Sequence, residues 1–484
     1  MIEVGQEIPA PALAALVGAL GKANVSTGIS DRLANSRGVW PVELKMMRRA
    51  ITGEGADGPP LRLPVCVVWP ADTHEVCAVL RIAGEWRIPI VPFGGGSGIV
   101  GGTVPPPGCI SLDTKRLDRL SVDPISLVAS AGAGIAGVEL EQRLNEHGCS
   151  LGHFPQSLYS STVGGWVATR ASGTFSTLYG NIEDRVVGLE VVLPGGDVLR
   201  TRPSPRSATG PNLNEFFLGS EGALGVVTEV MLWAHPLPAR QVRASYLFPS
   251  FTAGLDGIRT FIQAGARPGV VRLYDAGEAA HKFTDLDLTA GACLLVLVYE
   301  GAPELVTAYE AISHRSCLAA DGKAMGDGPA DHWWRTRFDT RGLVLANSRE
   351  GAVADAIEVA GLWRDLPAIY DAMMAAAERH GALAYAHVSH VYPSGGGLYL
   401  IFSVQNANDG AAAVVYQRLV DDLLVACHDT GGSISHHHGI GRGKAHLLPL
   451  ELGESGTALL RAIKRAVDLD SILNPGVLGL RVEA

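Results

Sequence analysis

Glycine density over residues 152–225 is the sequence feature that most constrains how this chain can fold. The segment contains GHFPQSLYSSTVGGWVATRASG and ends in GSEGALGVV. An ordered glycine loses more conformational entropy than any other residue, so this density requires a structural reason. The interpretation that we favour is close approach of the backbone to a flat, extended ligand. Glycine-rich loops that hold no ligand are the alternative.

A second glycine cluster, PFGGGSGIVGG over residues 92–102, follows an apolar run that resembles a strand. It differs from the GxGxxG dinucleotide fingerprint, which opens a helix. The cluster is too rich in glycine and continues into TVPPPG, a poor helix start. Its consecutive amides could instead form a nest for an anion such as a pyrophosphate. Two surfaces of this kind predict a large nucleotide cofactor.

These motifs carry a resemblance to a known family. Together with YGNIEDRVV, ATGP, GSEGALGVVTE, VRLYD and ILNPG, they resemble the FAD-binding oxidases of the vanillyl-alcohol oxidase type. The triple histidine in ISHHHGIG narrows the resemblance to the alkylglycerone-phosphate synthases, and the similarity covers nearly the whole chain from about residue 31. It implies an α+β protein with a bipartite, PCMH-type FAD-binding domain and a ferredoxin-like cap domain.

The same resemblance and changes in sequence character predict four parts. They are an N-terminal helical segment (1–60), the FAD-binding domain (61–240), the cap or substrate domain (241–430) and a C-terminal segment that completes the active site (431–484). Locally, the pattern predicts helices over residues 10–20, 73–86 with Thr73 as the cap, and 137–148. A hairpin is predicted with its turn at Pro194-Gly195-Gly196. Two strand–helix–strand repeats are predicted in the cap domain.

Charge and composition disfavour several classes of partner and location. The net charge of −10 disfavours nucleic acid, whose phosphates require clustered Lys and Arg. No apolar run approaches the length of about 20 residues that a membrane span requires, and the N-terminus lacks a secretory signal pattern. Seven dispersed cysteines predict reduced, mostly buried thiols. We therefore expect a soluble, cytoplasmic protein.

The cofactor implied by the resemblance is FAD, bound without a covalent link. In some relatives a histidine of the first glycine loop carries the covalent bond, and PFGGGSG contains no histidine. By their places in the shared motifs, the implied cofactor-binding residues are Pro92, Gly94, Gly95, Gly96, Ser97, Gly98, Pro155, Ser161, Thr162, Gly165, Thr169, Ala171, Ser172, Gly173, Glu221, Gly222, Val226 and Val227.

Three consecutive histidines, His436, His437 and His438, are the most distinctive candidates for chemistry. Imidazoles titrate near neutral pH and relay protons, so we interpret them as an active-site cluster. The resemblance agrees, since the synthases carry a similar SHHHG element at the flavin face. A zinc site is an alternative, which His332 and His387 could join only through the fold, but adjacent side chains diverge. A surface cluster without function is another, and we expect no metal.

Tyr399 and Arg272 lie on apolar, strand-like segments. A core tyrosine is the ordinary reading of Tyr399, whereas the resemblance makes it the acid/base that takes a proton from the carbon next to the substrate carbonyl. Its pKa of about 10 would then have to be lowered by the histidines. Arg272 must meet an anion or a buried acid, either Asp275 or another carboxylate, or the flavin site that the resemblance implies. Arg335, in WWRTR, is a candidate contact for an anionic substrate group.

The resemblance implies an enzyme of ether lipid biosynthesis. Such a synthase exchanges the acyl chain of a dihydroxyacetone-phosphate-type substrate for a fatty alcohol through a flavin N5 adduct, without net redox change. Two positions depart from its pattern: Gln156 replaces an acid, and Asn347 stands where an arginine is expected, with Arg349 two residues off. These departures bear on the substrate and its phosphate, not on the flavin site.

Two other functions remain open. The first is an FAD-dependent dehydrogenase or oxidase of a 2-hydroxy acid or other small alcohol, because relatives of that kind have EHGIG where this chain has HHGIG, a difference at His437. Arg272, Arg335 and Lys444 could then hold a carboxylate. The second is a non-catalytic flavin carrier, which would tolerate Tyr399→Phe. We expect a small-molecule or lipid-like substrate and a homodimer, with peripheral membrane contact as an open possibility.

Overall fold

The N-terminal part of the chain builds a small sheet covered by helices. The computed structural model describes residues 2–3, 7–52, 61–286 and 288–480. The elements of this part are β1 (Ile2–Glu3), α1 (Ala10–Leu20), β2 (Val25–Ser26), α2 (Ile29–Ala34), α3 (Pro41–Thr52), β3 (Leu61–Arg62), β4 (Cys66–Val68), α4 (Thr73–Glu85), β5 (Ile90–Phe93) and β6 (Ile110–Asp113). The sheet order is β2-β4-β6-β5, and β6 is parallel to both β4 and β5.

Helices α1 and α4 cover this sheet with their apolar faces. Leu16 of α1 and Leu80 of α4 are completely buried in one core with the strands. The helices predicted over residues 10–20 and 73–86 are thus confirmed. The predicted cap was wrong by one residue: Asp72, not Thr73, accepts the hydrogen bond from the Glu75 amide, because its backbone is extended and its carboxylate reaches the first turn.

A second, antiparallel sheet follows. Its region contains β7 (Leu120–Asp123), β8 (Val128–Gly132), α5 (Gly137–Glu146), β9 (Cys149–Ser150), α6 (Val163–Thr169), α7 (Ser176–Tyr179), α8 (Ile182–Arg185), β10 (Val186–Val192), β11 (Val198–Arg200), α9 (Asn214–Phe217), β12 (Val226–Trp233) and β13 (His235–Pro236). The strand order is β11-β10-β12-β8-β7. Strands β10 and β11 form the predicted hairpin, with Val192 opposite Val198 across the turn. Two sheets packed with helices give the bipartite FAD-binding architecture expected for this part.

The cap domain is a seven-stranded sheet with helices. Its elements are β14 (Arg240–Phe248), α10 (Phe251–Gln263), β15 (Val270–Tyr274), α11 (Ala276–Lys282), β16 (Cys293–Gly301), α12 (Pro303–Ala319), β17 (Lys323–Gly326), α13 (Gly328–Thr336), α14 (Arg341–Ser348), β18 (Ala352–Leu362), α15 (Leu366–Arg379), β19 (Leu383–Val391), β20 (Gly395–Gln405) and α16 (Asp409–Asp429).

The first predicted repeat of the cap domain, β14-α10-β15, is confirmed, whereas the second was wrong in its closing strand: β17 follows α12, and the strands predicted there, at residues 383–393 and 398–404, are β19 and β20. The sheet runs β17-β14-β16-β15-β19-β20-β18. Its first four strands, with α10 and α12, have the βαββαβ connectivity of a ferredoxin-like unit, as expected. Strands β19, β20 and β18 extend the sheet beyond β15. The sequence reading did not include β18, which turns out to carry a central residue of the site.

The C-terminal segment returns from the cap domain to the first sheet. After α16 a long loop leads to α17 (Leu448–Val467), whose helical course is broken at Gly453. The last residues then meet β5: the amide of Ile90 donates to the carbonyl of Ile472 at 2.7 Å. This return places the loop of residues 433–445 between the FAD-binding and cap regions.

The predicted boundary at residue 60 lies in 53–60, outside the described residues, and the boundaries near 240 and 430 stay predictions.

Two composition-based expectations can be compared with the structure. All seven cysteines are buried and unbridged, as predicted. Over the described part of the chain, we find no helix that has both the length and the apolar character needed to span a membrane.

Candidate active site

The site forms where three strands of the cap sheet place polar side chains side by side. Tyr399 on β20 stands directly opposite Glu358 on β18 and, on its other side, His387 on β19. Directly opposed residues of antiparallel strands project from the same face of the sheet. Arg272 on β15 is opposite Ser389, two residues further along β19, and therefore adds a cation to this face. The fold thus places Tyr399 and Arg272 on one face of the sheet, and their catalytic roles stay predictions.

Glu358 holds the triple-histidine loop against this sheet. Its carboxylate is completely buried and accepts the amides of His436 at 3.2 Å and His437 at 3.0 Å, as well as the amide of His438. Consecutive amides that converge on one anion form a nest. Lys444 lies 3.6 Å from the carboxylate. Burial by itself raises the pKa of Glu358, but the Lys444 charge, His438 and these amides together lower it to about 2.

A directed chain of hydrogen bonds leads from the FAD-binding region to Tyr399. The Asn181 amide donates to the Tyr392 hydroxyl at 2.9 Å, so the single Tyr392 proton is free to donate to His436 Nε2 at 2.8 Å. A neutral His436 then carries its proton on Nδ1 and donates it to His437 Nδ1 at 2.8 Å. His437 must therefore be protonated on Nε2, which donates to the Tyr399 hydroxyl oxygen at 2.8 Å.

Arg272 is paired with a histidine and not with Asp275. Its Nη2 donates to His387 Nε2 at 2.6 Å, and His387 Nδ1 lies 2.7 Å from a Glu278 carboxylate oxygen. Because a guanidinium only donates, Nε2 of His387 is the acceptor and Nδ1 carries the proton. Asp275 instead caps α11 by accepting the Glu278 amide. The acid next to Arg272 is thus reached through the imidazole of His387, and the place of Arg272 beside the flavin and the triple histidine stays a prediction.

The electrostatics of the cluster differ from the sequence-based expectation. Burial lowers the pKa of His438 to about 4, lowers that of His436, and holds that of His437 well below its ordinary value. These imidazoles are therefore mainly neutral at neutral pH, and His437 and His438 titrate well below it. Burial also raises the pKa of Tyr399, even though Arg272 acts to lower it. The expected lowering of the Tyr399 pKa is wrong for this site, because neutral histidines supply N–H dipoles and no positive charge.

Four participants were missed by sequence reasoning: Glu278, Glu358, His390 and Tyr392. Glu358 lies in AVADAIEVAGL and Glu278 follows VRLYD, so each places an acid in or beside an apolar segment. An acid in such a segment is the same signal that identified Arg272, and it could have been used here. His390 and Tyr392 belong to HVSHVYP, in which nothing local separates a site residue from a core residue.

The first glycine loop explains part of the glycine requirement without a ligand. A Cβ on Gly95 would overlap the carbonyl of Ser160, and one on Gly94 would overlap the Thr162 hydroxyl. These glycines allow the loop to lie against the segment before α6. A Cβ on Gly98, in contrast, would meet no described atom within 4 Å. Close approach of two chain segments, and not only of chain to ligand, therefore accounts for the density at Gly94 and Gly95.

A cleft of about 480 Å³ lies between the first glycine loop and the segment before α6. It has the size of a small-molecule site, for which about 300–1,000 Å³ is typical. Its lining includes Gly95, Gly96, Ser160 and Thr162, with the exposed cations Arg37 and Lys115 at its edge. The Thr162 hydroxyl is buried without a hydrogen-bond partner among the described residues. Lys115 is also paired with Asp113 at 2.6 Å, and Glu139 lines the cleft as well. The glycine backbone, the free hydroxyl and Arg37 are therefore the groups that fit the pyrophosphate of FAD.

Four of the other predicted cofactor residues have side chains that are engaged in contacts within the protein. The hydroxyls of Ser161, Thr169 and Ser172 are already engaged within the protein, by Trp166 and Ser157, by Gly165 and by Asn181 respectively. Glu221 accepts the amides of Ile440 and Gly441 and so ties the FAD-binding region to the C-terminal loop. Flavin contact by the predicted set stays a prediction. The remaining members lie in the glycine loop, around α6 and at the start of β12: Pro92, Gly94, Gly95, Gly96, Ser97, Gly98, Pro155, Thr162, Gly165, Ala171, Gly173, Gly222, Val226 and Val227.

Arg335 lies apart from the Tyr399 cluster. Arg335 lies on an exposed face of α13, and no described contact joins it to the Tyr399 cluster. Arg337, two residues on, is partly buried and packs over the Trp334 ring at 3.7 Å. A role of Arg335 in substrate binding stays a prediction. Within the described ranges, no group of three or more His, Cys, Asp or Glu side chains is arranged to hold a metal ion.

Comparison with known proteins agrees with this architecture. Two family profiles match the chain, an FAD binding domain over residues 64–202 and the C-terminal domain of FAD linked oxidases over residues 237–478. Alkyldihydroxyacetonephosphate synthase from Caenorhabditis elegans is 32% identical over 447 residues, covering 84% of this chain and 74% of that protein. The mitochondrial D-lactate dehydrogenase (cytochrome) of Arabidopsis thaliana is 27% identical over 430 residues, covering 86% and 74%.

Similarity extends to solved structures. A structure of alkyldihydroxyacetonephosphate synthase superimposes with a TM-score of 0.81 at 25% identity, covering 98% of this chain and 87% of the other. The matched profiles, the relatives and the bipartite architecture with its cap domain agree with one another, and FAD is the cofactor of the matched domains. The chain therefore belongs to the FAD-linked oxidases of the vanillyl-alcohol oxidase type, as an alkyldihydroxyacetonephosphate synthase-like, FAD-dependent enzyme.

Proposed function

We propose that this protein exchanges the acyl chain of an acylated dihydroxyacetone-phosphate-type substrate for a fatty alcohol. The observation that carries the proposal is the Tyr399 hydroxyl, whose oxygen is held at 2.8 Å by His437 on the face that also bears Arg272. Ether lipid biosynthesis is the context in which such an exchange belongs. The name of the Caenorhabditis elegans relative supports this choice over other flavin chemistry.

Arg272 is the cation of the cluster that can bind an anionic group of the substrate. The other two cations have acids of their own, since Lys444 lies 3.6 Å from Glu358 and Lys282 faces Glu278 and Asp339. Arg272 donates through Nη2 to His387, and its Nε has no hydrogen-bond partner among the described residues. A guanidinium binds phosphate and carboxylate groups well. The half-buried Arg272 would hold such a group of the substrate.

In the proposed reaction, Arg272, Tyr399 and His437 each act at a different atom of the substrate or the site. Bound FAD supplies the electrophilic ring through which the exchange proceeds. Arg272 orients the anionic group of the substrate and thereby positions the carbon next to the carbonyl near Tyr399. Tyr399 takes the proton of that carbon and returns it later in the cycle, so the step leaves the proton count unchanged. His437 stabilises the Tyr399 oxygen with its Nε2 proton while it carries negative charge.

Oxidation of a 2-hydroxy acid is the second candidate, and a specific observation favours it. Asn347 stands where a synthase-like arginine is expected, and its amide bonds both the nitrogen and the oxygen of Ala354 at 3.1 and 2.8 Å. The position therefore serves to join α14 to β18 and offers no cation for a phosphate. A carboxylate needs fewer ligands than a phosphate, and Arg272 could hold it. The D-lactate dehydrogenase of Arabidopsis thaliana is a relative with that kind of substrate in its name.

One anaerobic experiment separates the two candidates. The FAD-loaded protein is mixed without oxygen with an acylated dihydroxyacetone phosphate and a long-chain alcohol, and separately with D-lactate and related 2-hydroxy acids. The proposal expects release of fatty acid, formation of the ether product and an oxidised flavin spectrum at the end. Bleaching of the flavin by a hydroxy acid, without ether formation, would support the second candidate instead.

Three further expectations stay predictions: a homodimer, a cytoplasmic location and peripheral membrane contact. Measurement of the size of the protein in solution would test the homodimer, and binding to lipid vesicles would test the membrane contact.

A further inference from the structure

His390 is a buried histidine with an unusual backbone next to Tyr399. Strands β19 and β20 change register between Ser389 and Val391, so His390 occupies a β-bulge. Its φ of +54° lies in the left-handed region, which few residues other than glycine adopt. Bulges beside active sites re-aim a side chain. The cost of this backbone conformation indicates that the direction of the His390 side chain matters.

The imidazole of His390 points at the Tyr399 hydroxyl. Its Nε2 lies 3.3 Å from that oxygen, and its ring packs parallel to His436 at 5.4 Å. His390 is 7% exposed, and its Nδ1 is buried with no hydrogen-bond partner among the described residues. Orphaned N–H donors are rarer in protein interiors than under-used acceptors. The proton of a neutral His390 therefore belongs on Nε2, which donates it to Tyr399.

We propose that His390 is a positioning residue that, with His437, forms a pair of N–H donors on the Tyr399 oxygen. This inference rests on the proposed role of Tyr399 as acid/base. With both acceptor positions of the oxygen filled, the Tyr399 O–H bond has one direction left, toward the substrate. When Tyr399 has lost its proton, the same two donors stabilise the phenolate, and the substrate proton returns to the free position. Only that proton moves, and both imidazoles keep theirs.

The surroundings keep His390 in the neutral form that this arrangement requires. Burial lowers its pKa well below the ordinary value, and the neighbouring His436, Arg272, His387 and His438 lower it further. A positive His390 would have both ring nitrogens protonated and would leave the Nδ1 proton without an acceptor. A neutral imidazole is therefore a donor that does not compete with Tyr399 for the substrate proton.

Two substitutions of His390 distinguish the loss of its hydrogen-bond donor from a loss of protein stability. Asparagine tolerates the left-handed backbone, but its amide is too short to reach the Tyr399 oxygen. Glutamine places an amide N–H near the position of Nε2 but is strained at a positive φ. We expect His390→Asn to be the more stable variant, with kcat reduced on the order of 10²-fold and KM little changed, as for loss of one donor to a developing oxyanion. His390→Gln should be less stable and yet more active than His390→Asn.

Chemical rescue provides the second test. His390→Gly relieves the backbone and leaves a space, so added imidazole should restore a measurable part of kcat. The matched control is His314→Gln, because His314 also contacts a tyrosine, Tyr246, at 3.1 Å but is exposed on α12. Its activity should equal that of the unchanged protein. Activities that follow the order of stability, or an inactive His390→Gly that imidazole does not rescue, would overturn the proposal.

A measurement without substrate keeps this test separate from that of the proposed function. Holoenzyme labelled with ¹⁵N-histidine should show one imidazole with the proton on Nε2 whose signal disappears in His390→Gln. A signal with the proton on Nδ1 would contradict the inference even if ether product forms. Conversely, a protein that only oxidises hydroxy acids would refute the proposed function, whereas the histidine signal and the order of the variants would still decide the role of His390.

Discussion

At Tyr399, burial and hydrogen bonding act in opposite directions on the hydroxyl proton. Burial and the Glu358 charge disfavour the phenolate, whereas the Arg272 charge favours it. Neutral His437 contributes an N–H donor at 2.8 Å, which stabilises negative charge without adding a cation. The hydroxyl therefore stays protonated until a substrate changes the local charge. This is suitable for a group that must hold a proton and move it only during the reaction.

Removal of the Tyr399 hydroxyl should abolish most of the activity and leave the cofactor bound. We expect Tyr399→Phe to lower kcat by about 10²–10⁴-fold, the contribution typical of general acid–base catalysis. The visible flavin spectrum should be close to that of the unchanged protein, whereas each buried N–H donor left without an acceptor should cost about 1–3 kcal/mol of stability. Tyr246→Phe, at a tyrosine that also contacts a histidine but lies outside the site, is the matched control. Full activity of Tyr399→Phe would contradict the role of this hydroxyl as acid/base, whereas a non-catalytic flavin carrier would show no turnover with either protein.

Glu358 should be the most sensitive carboxylate for stability. In Glu358→Gln the amide group would face the backbone N–H donors of the histidine loop and leave Lys444 without its anion. Breaking a buried ion pair in this way costs about 3–5 kcal/mol. Denaturant unfolding measures the loss, and the exposed Glu304→Gln is the control. A loss below about 1 kcal/mol, the range of surface pairs, would mean that the nest does not hold this loop.

Two requirements determine the glycines of the loop after β5: contact with another chain segment and room for a ligand. Gly94 and Gly95 are needed because another chain segment lies against them, whereas Gly98 faces open space. From the sequence alone, both look like preparation for a ligand. The two requirements should be separable by substitution.

Alanine at the two positions should have different effects. Gly95→Ala forces a Cβ into the carbonyl of Ser160 and should destabilise the protein by about 1–3 kcal/mol or more, as overpacking does. Gly98→Ala should leave the apoprotein as stable as before but weaken FAD binding, if the amide of Gly98 lies against the cofactor. Titration of apoprotein with FAD, followed by flavin fluorescence, measures the second effect. Gly84→Ala, in helix α4 with no neighbouring atom, is the control for both.

Helix α3 connects the N-terminal segment to both other regions, although its sequence indicated no chemistry. Trp40, just before α3, donates to the Tyr416 hydroxyl of α16 at 3.0 Å, and Lys45 forms a buried ion pair with Asp409 at 3.0 Å. Val39 donates to the Gly98 carbonyl at 2.9 Å. Glu43 is buried in the same place, and burial raises its pKa to about 7 despite the opposing effects of the Gly38 amide, Arg442 and Arg37.

Glu43 should therefore make stability depend on pH. Its pKa is higher in the folded protein than the ordinary value of 4.5, so its contribution is fully present below about pH 4.5 and is lost as pH rises through about 7. A shift of this size corresponds to about 3 kcal/mol. We expect Glu43→Gln to remove this part of the decline between pH 4.5 and 7 and to be the more stable protein at pH 8. Unfolding at several pH values tests this, with the exposed Glu146→Gln as control.

At the scale of the whole molecule, distant segments meet at one place. The Glu221 carboxylate accepts the amides of the loop after the histidines, and Asn474 bonds the carbonyls of Glu221 and Gly102 at 2.8 and 2.9 Å. These hydrogen bonds join the FAD-binding region to the glycine loop and to the C-terminal end. Cofactor binding and folding should be coupled through these contacts, because a ligand that binds only the folded form stabilises it.

The cofactor should be firmly held but released on unfolding. No histidine is present in the first glycine loop to form a covalent bond, and the cleft beside it fits a pyrophosphate. We expect the purified protein to show the two absorbance bands of an oxidised flavin, and acid precipitation to leave the colour in the supernatant. Yellow colour in the pellet would indicate a covalent link. A colourless protein that cannot take up added FAD would contradict the reading of both glycine segments.

Much of the molecule followed from local patterns. The helices α1 and α4 and the β10–β11 hairpin have signals that lie close together in sequence, namely periodicity and turn glycines. The ferredoxin-like cap domain and the role of Tyr399 were implied by the family resemblance, and the histidines by the resemblance and the chemistry of imidazole. Arg272 was found because a polar side chain in an apolar segment requires a partner. For the same reason Glu358 was open to prediction.

Other properties were decided only when distant strands came together. The sequence by itself determined the residue types, the FAD-binding motifs and three of the strands that carry the site, β15, β19 and β20, but not β18. It did not determine that Glu358 and His387 stand on either side of Tyr399, or that a bulge turns His390 toward it. It also suggested titrating histidines, whereas burial keeps them neutral. Hydrogen-bond direction and pKa depend on the neighbours and the solvent exposure of a group, and the tertiary structure sets both.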